Sequence, residues 1–171
     1  ILMLSGVGSE EHLKEHNISM VLNSPGVGQN LRDHPLLPVT WSTKPEVDLD
    51  VLGPRHQAIL RYTADGSRLE NDMIVYMIAV ASERPDRGGR RTEPIGVQTI
   101  LCINLALGKG ELRLNSSDYR DQPYLDYNYL EEAEDRRRFR DGIRMLVGLE
   151  DHPAMSGLIN GRLNPLDSDL E

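Results

Sequence analysis

Residues 73–81, Met-Ile-Val-Tyr-Met-Ile-Ala-Val-Ala, form a run without a single charged side chain. It is less than half the length of a membrane helix, which needs about 20 apolar residues. Its Ile and Val content predicts a strand buried on both faces, from Asp72 to Ala81. A second such run spans Gly96 to Leu107, and a third, shorter one runs from about Leu37 to Trp41. Gly108-Lys109-Gly110 reads as a hairpin turn leading into the alternating Glu111-Leu112-Arg113-Leu114-Asn115. Strands joined by hairpins, with helices at the edges and not between successive strands, predict an α+β fold. It should be a mostly antiparallel sheet with flanking helices, not a doubly wound one.

Composition removes several function classes. With 19 Lys and Arg against 27 Asp and Glu, the 171-residue chain carries a formal charge of −8. No basic stripe is present to neutralise phosphates, so nucleic acid is not an expected partner. No apolar run is long enough to span a membrane. The only cysteine, Cys102, makes neither an internal disulfide nor a zinc site, and no metal is expected. A cytoplasmic location is the default, supported only by that cysteine count.

Local signals fill in the order of elements. Ile1-Leu2-Met3-Leu4 reads as an opening strand, and Ser9 as the cap of a helix from Glu10 to about His16 that Asn17 ends. Ile18 to Leu22 predicts a short buried strand before a turn at Pro25-Gly26. Pro54, with Ala58, Ile59 and Tyr62 behind it, predicts a helix closing near Gly66. The segment from Glu83 to Pro94, rich in Arg, Gly and Pro, predicts a solvated loop. Glu131 to about Leu149 predicts the one long helix, buried along Phe139, Ile143, Leu146 and Val147, with its charges on a solvated face. A last short helix follows Pro153. The first 35 residues look like the tail of another layer, and both ends read as those of a fragment.

Chemistry read from residues alone stops early. The Gly-Val-Gly stretches at 6–8 and 26–28 lack the third glycine of a dinucleotide fingerprint, since Glu11 and Leu31 stand in its place. His12 and His16 have the spacing of zinc-protease ligands, but Leu13 replaces the required Glu; solvated helix histidines are expected. No nucleophile elbow is present. His34, inside Asn30-Leu31-Arg32-Asp33-His34-Pro35, sits in the least generic stretch.

Four blocks in order give the chain a family resemblance. ILMLSGVG at 1–8, PGVGQNLRDHP at 25–35, GELRLNSSDYRDQPYLDYNYL at 110–130, and the helix from Glu131 with HPAM at 152–155 together resemble the glucose-methanol-choline flavoprotein oxidoreductases. The resemblance implies an enzyme that uses FAD to oxidise a small-molecule alcohol, the flavin taking a hydride while the protein supplies orientation and a base. It implies a division into residues 1–35, the end of the FAD-binding region and its junction, and 36–171, an incomplete substrate domain. Gly28, Asn30, Asp33 and His34 match the junction motif and are expected near the cofactor. Tyr76 falls where the choline-oxidising branch has a pocket histidine, and Gln57 roughly where it has a glutamate for the quaternary ammonium, which makes both expected substrate-pocket residues. No catalytic residue is expected within the chain. The glycine fingerprint and the catalytic histidine have no matching position, so the chain alone should be inert, should not retain FAD, and should need the missing N- and C-terminal segments of the same enzyme as partners. The alternatives are a non-catalytic binding module on the same fold and a lyase of the same family.

Overall fold

The computed structural model describes residues 1–82 and 94–170. The loop expected from Glu83 to Pro94 therefore lies, apart from Pro94, outside the described residues. The chain forms two compact units. One comprises Ile1–Asp33 with Ala106–Ala133, and the other His34–Leu105 with Glu134–Glu171. Each unit is thus built from two separate stretches of sequence.

In the first unit the opening residues are not a strand. Met3–Ser5 is a turn of 3-10 helix, closed by Gly6 at φ +83°, whose N–H bonds to the Met3 carbonyl, and only Met3 is buried. Strand β1 (Val7–Gly8) leads into helix α1 (Glu10–Glu15), where Ser9 occupies the capping position without a side-chain hydrogen bond. Asn17, at φ +56°, ends it as expected. The expected buried strand at 18–22 shrinks to β2 (Leu22–Asn23), exposed and parallel to β1. Val21 and Leu22 donate to the Gly6 carbonyl, so this stretch is fixed through its backbone while its apolar side chains face out.

The rest of this unit is a three-stranded antiparallel sheet of β3 (Gln29–Leu31), β8 (Gly110–Arg113) and β9 (Tyr124–Asp126), in the order β3-β8-β9. Gln29 pairs with Glu111 and Leu31 with Gly110. The hairpin expected at Gly108–Gly110 is therefore absent: the strand after it pairs with β3, and the apolar run before it belongs to a different sheet.

The second unit is a five-stranded antiparallel sheet in the order β10-β4-β7-β6-β5, made of β4 (Leu36–Thr43), β5 (His56–Tyr62), β6 (Met73–Ser82), β7 (Pro94–Ile103) and β10 (Ile159–Asn164). The apolar run that begins at Met73 is a central strand; it is buried from Met73 to Val75, but Tyr76 is half-buried and Met77 exposed, so the expected burial on both faces holds only for part of the run. Residues 56–62 form an edge strand and not the expected helix. The apolar positions at 58, 59 and 62 suit either conformation, and ladder hydrogen bonds to β6 decide the outcome. Helix α2 (Ala133–Val147) crosses one face of the sheet: a side chain at Gly142 would meet Leu101 and the Tyr62 hydroxyl, so glycine permits this close approach. Helix α3 (Pro153–Ser156) follows, as the sequence predicts. Val39, Trp41, Met73, Leu101 and Ile103 are fully buried and form the core of this unit.

The α+β reading is borne out: the sheets are mostly antiparallel and the helices few. Among the described residues, no helix is long and apolar enough to cross a membrane.

Candidate functional site

The junction motif is held by backbone geometry. Gly28 adopts φ +89°, and a Cβ there would overlap the Leu112 carbonyl oxygen and approach Met3 Cε at 3.2 Å. Its own carbonyl accepts the Leu112 N–H at 2.7 Å. The close approach that only glycine allows is thus used for strand packing. Asn30, at φ +60°, is exposed. The Asp33 carboxylate accepts the Tyr129 hydroxyl at 2.9 Å, which ties the motif to the segment after β9. His34 is exposed at the start of the second unit, followed by the buried Pro35.

The same unit contains a polar junction that corrects the reading of His12 as a solvated helix histidine. His12 is buried. Its Nε2 accepts the Leu114 N–H at 3.0 Å, which assigns the proton of the neutral ring to Nδ1, 3.1 Å from Glu15 Oε2. Arg113 Nη2 also donates to Glu15, at 3.2 Å, and lies 3.3 Å from Nδ1. The His12 hydrogen bond, with the Arg113 charge behind it, holds the Glu15 carboxyl below the usual carboxylate range. His16 completes the cluster edge-on to His12, ring centroids 4.9 Å apart. The ligand atoms of His12, Glu15 and His16 lie within 4.8 Å of one another. In this arrangement neither His12 nitrogen directs a lone pair at a cation: Nε2 is spent on a backbone amide, and Nδ1 carries the proton. His12→Leu is expected to cost about 1–2 kcal/mol of stability, because the Leu114 amide loses its acceptor. Urea denaturation of the variant checks this.

In the second unit, alternation along the strands sorts the expected pocket residues. Tyr76 lies in register with Ile59 on one side and Ile100 on the other. Its ring meets that of His56 edge to face, centroids 6.4 Å apart. On the same face, Gln98 Nε2 donates to Thr40 Oγ1 at 2.7 Å. Gln57 sits at an irregularity of β5 and lines a cavity with Trp41, Met77 and Thr99. Tyr76 does not line that cavity, and its neighbour Met77 does. Tyr76 and Gln57 are therefore not brought together.

The most buried charges were missed by sequence reasoning. Arg138 is fully buried and forms ion pairs with Asp72 and Asp135, both also buried, while its Nη2 donates to the Leu105 carbonyl at 3.1 Å. Asp72 further accepts the Ala64 N–H at 2.8 Å and the Ser67 hydroxyl at 2.6 Å. Burial pushes the Asp72 carboxyl up, but Ser67, the Ala64 amide and Arg138 together outweigh it and hold it below its ordinary value. Asp135 corrects the expectation that the helix charges form a solvated face. The recognisable signal is the helical stripe itself, since Asp135, Arg138, Phe139, Gly142 and Leu146 repeat at three- and four-residue spacing.

Known proteins can now be compared with this geometry. No family model matches the chain. It is 32% identical over 167 residues to a choline oxidase from Arthrobacter globiformis, covering 96% of this chain and 31% of that protein. It is also 32% identical to an oxygen-dependent choline dehydrogenase from Burkholderia lata, covering 96% and 33%. In fold it is similar to pyridoxine 4-oxidase from Mesorbium loti, with a TM-score of 0.73 at 18% identity, covering 96% of this chain and 32% of that one. A formate oxidase variant from Aspergillus oryzae gives 0.78 at 21% identity, covering 99% and 38%. The chain spans about a third of the length of the curated relatives it matches. Sequence and fold agree, and the chain belongs to the glucose-methanol-choline family of oxidoreductases.

Proposed function

We propose that this stretch forms the substrate side of an FAD-dependent oxidoreductase of the choline-dehydrogenase-like kind, acting on a small-molecule alcohol. The observation that carries the reading is the 32% identity to a choline oxidase along 96% of the chain. The division into an FAD-region remnant at 1–35 and a substrate domain from 36 onward is part of the same proposal.

In this proposal Gly28 and Asp33 support the flavin region through packing and hydrogen bonding: Gly28 lies against Leu112, and Asp33 accepts the Tyr129 hydroxyl. No redox step is therefore assigned to these residues. The proposal gives the chain an orienting role: the Tyr76 phenol, steadied by His56, offers a hydrogen bond to the substrate hydroxyl. Tyr76 in place of a histidine, and no carboxylate at Gln57, fit an uncharged alcohol better than a quaternary ammonium. Alone, the 171-residue chain should neither retain FAD nor oxidise alcohols.

Two measurements test this. The purified 171-residue chain, mixed with FAD and gel-filtered, is expected to elute colourless and inactive towards choline and benzyl alcohol; a yellow chain that oxidises either contradicts the reading. In a complete enzyme carrying this stretch, Tyr76→Phe is expected to raise KM for its alcohol about fivefold with kcat little changed, the loss of one neutral hydrogen bond. An unchanged KM removes Tyr76 from the site.

A further inference from the structure

The five-stranded sheet of the second unit has two ends that differ in kind. At one end lies β10, which carries the marks of a finished edge. Its register with β4 breaks twice, the Arg162 guanidinium is clasped by Glu150 and Asp167, and Pro165 follows its last residue. At the other end lies β5, which has only one strand neighbour among the described residues. Its sequence, His-Gln-Ala-Ile-Leu-Arg-Tyr, contains no lysine and no proline, and its one irregularity falls at its start, between His56 and Ala58. Ala58, Ile59 and Leu60 are consecutive and apolar, so they turn to the two faces alternately. All three are exposed, Ile59 by 57% and Leu60 by 49%. Such a run suits a strand with a neighbour on each side, and left bare it is a template for pairing.

We infer that β5 is an inner strand of the intact enzyme, paired along its outer edge with an extended, apolar segment of about five to seven residues from the part of the protein outside this chain. The inference rests on the reading of this stretch as part of a longer oxidoreductase. Backbone chemistry sets the kind of occupant. In an antiparallel pair a strand turns only alternate N–H and C=O groups to its neighbour, so the others on β5 face away from β6, and another strand satisfies them. Length sets the source: the chain covers 31% of the choline oxidase it resembles, which leaves ample sequence to supply a strand. Charge limits the side chains that meet it. Arg61 Nη2 lies 3.5 Å from the Asn71 carbonyl, on the β6 side, so the apolar residues from Ala58 to Leu60 are left to make the contact. Ile59 is in register with Tyr76 and shares its face, so the added strand extends the surface that carries the phenol proposed to orient the alcohol.

The test is amide hydrogen exchange on the intact enzyme that carries this stretch, resolved residue by residue by fragmentation mass spectrometry. A strand paired on both sides protects every amide from Ala58 to Tyr62, and at each of them exchange is expected to be at least about 100-fold slower than in a free peptide. A free edge protects only alternate amides, and that alternation overturns the inference. Ile59→Lys places a charge in the apolar contact and is expected to return the alternate amides to within about tenfold of the free rate, while those of β7 are unchanged. Undiminished protection in this variant overturns the part given to the apolar contact. Protection that disappears when the enzyme is diluted to single copies assigns the edge to a second copy and also overturns the inference. None of these readouts involves the flavin. A colourless protein with every β5 amide protected contradicts the proposed oxidation and supports the pairing, and a flavin that alcohol bleaches beside alternating protection does the reverse.

Discussion

Replacing Arg138 with methionine is expected to destabilise the chain by about 3–5 kcal/mol, measured by urea denaturation at neutral pH. The methylene stem is retained in the variant, so little packing is lost. What is lost is the one cation shared by Asp72 and Asp135, both buried. Both carboxylates then lose the guanidinium they share, and the ionic link between α2 and the residue that leads into β6 is gone. The same cluster sets an acid limit on stability. The folded-state pKa of Asp72 is lowered, so the unfolded chain binds its proton first as pH falls. Its contribution is complete above the ordinary carboxylate value of about 4 and disappears as pH drops through the lower folded value. The penalty of the methionine variant should accordingly shrink towards low pH, because a protonated Asp72 no longer needs the guanidinium. A penalty independent of pH would place the cost in packing instead of charge.

Gly28→Ala is expected to cost about 3 kcal/mol, combining a left-handed conformation with a steric overlap on backbone that cannot swing away. The effect should be local. The added methyl pushes against Leu112 and spreads β3 from β8, so hydrogen exchange should accelerate at the Leu112 amide, which donates to Gly28. Gly26, two residues earlier, has open space around it and provides the control: Gly26→Ala should change stability by no more than a few tenths of a kcal/mol.

The sequence shows the long strands and the long helix clearly because each carries a dominant pattern. The charge-free run from Met73 has one reading, and the stripe through Phe139 and Leu146 has one period. Short segments lack that redundancy. Ile18 to Leu22 looks like a buried strand, yet of these residues only Leu22 pairs, with Asn23 beyond it, because β1 offers only two partners. Residues 58, 59 and 62 satisfy a helical stripe and a strand equally, and the ladder to β6, distant in sequence, settles the matter. Gly108 to Gly110 has hairpin chemistry, but pairing with Gln29 and Leu31 depends on contacts about 80 residues away, which no local pattern records.

The site was legible in a similar, uneven way. The junction motif identified residues with special backbone conformations, Gly28 and Asn30, without revealing that Gly28 is occupied by strand packing. His12 looked solvated because its helix is short and charged, whereas its burial comes from β8, a hundred residues later. Tyr76 and Gln57 are separated by the pleat of neighbouring strands, a distinction that a one-residue irregularity in β5 makes unreadable from spacing alone.

The central claim is that these residues serve flavin-dependent oxidation of an alcohol. It is tested most directly by recording the visible spectrum of the intact enzyme that carries them, under argon, before and after an alcohol is added. The account predicts an oxidised flavin spectrum that bleaches when a neutral primary alcohol such as benzyl alcohol is mixed in, and recovers its colour when an electron acceptor is admitted. A protein without flavin, or a flavin that no alcohol bleaches, would contradict it.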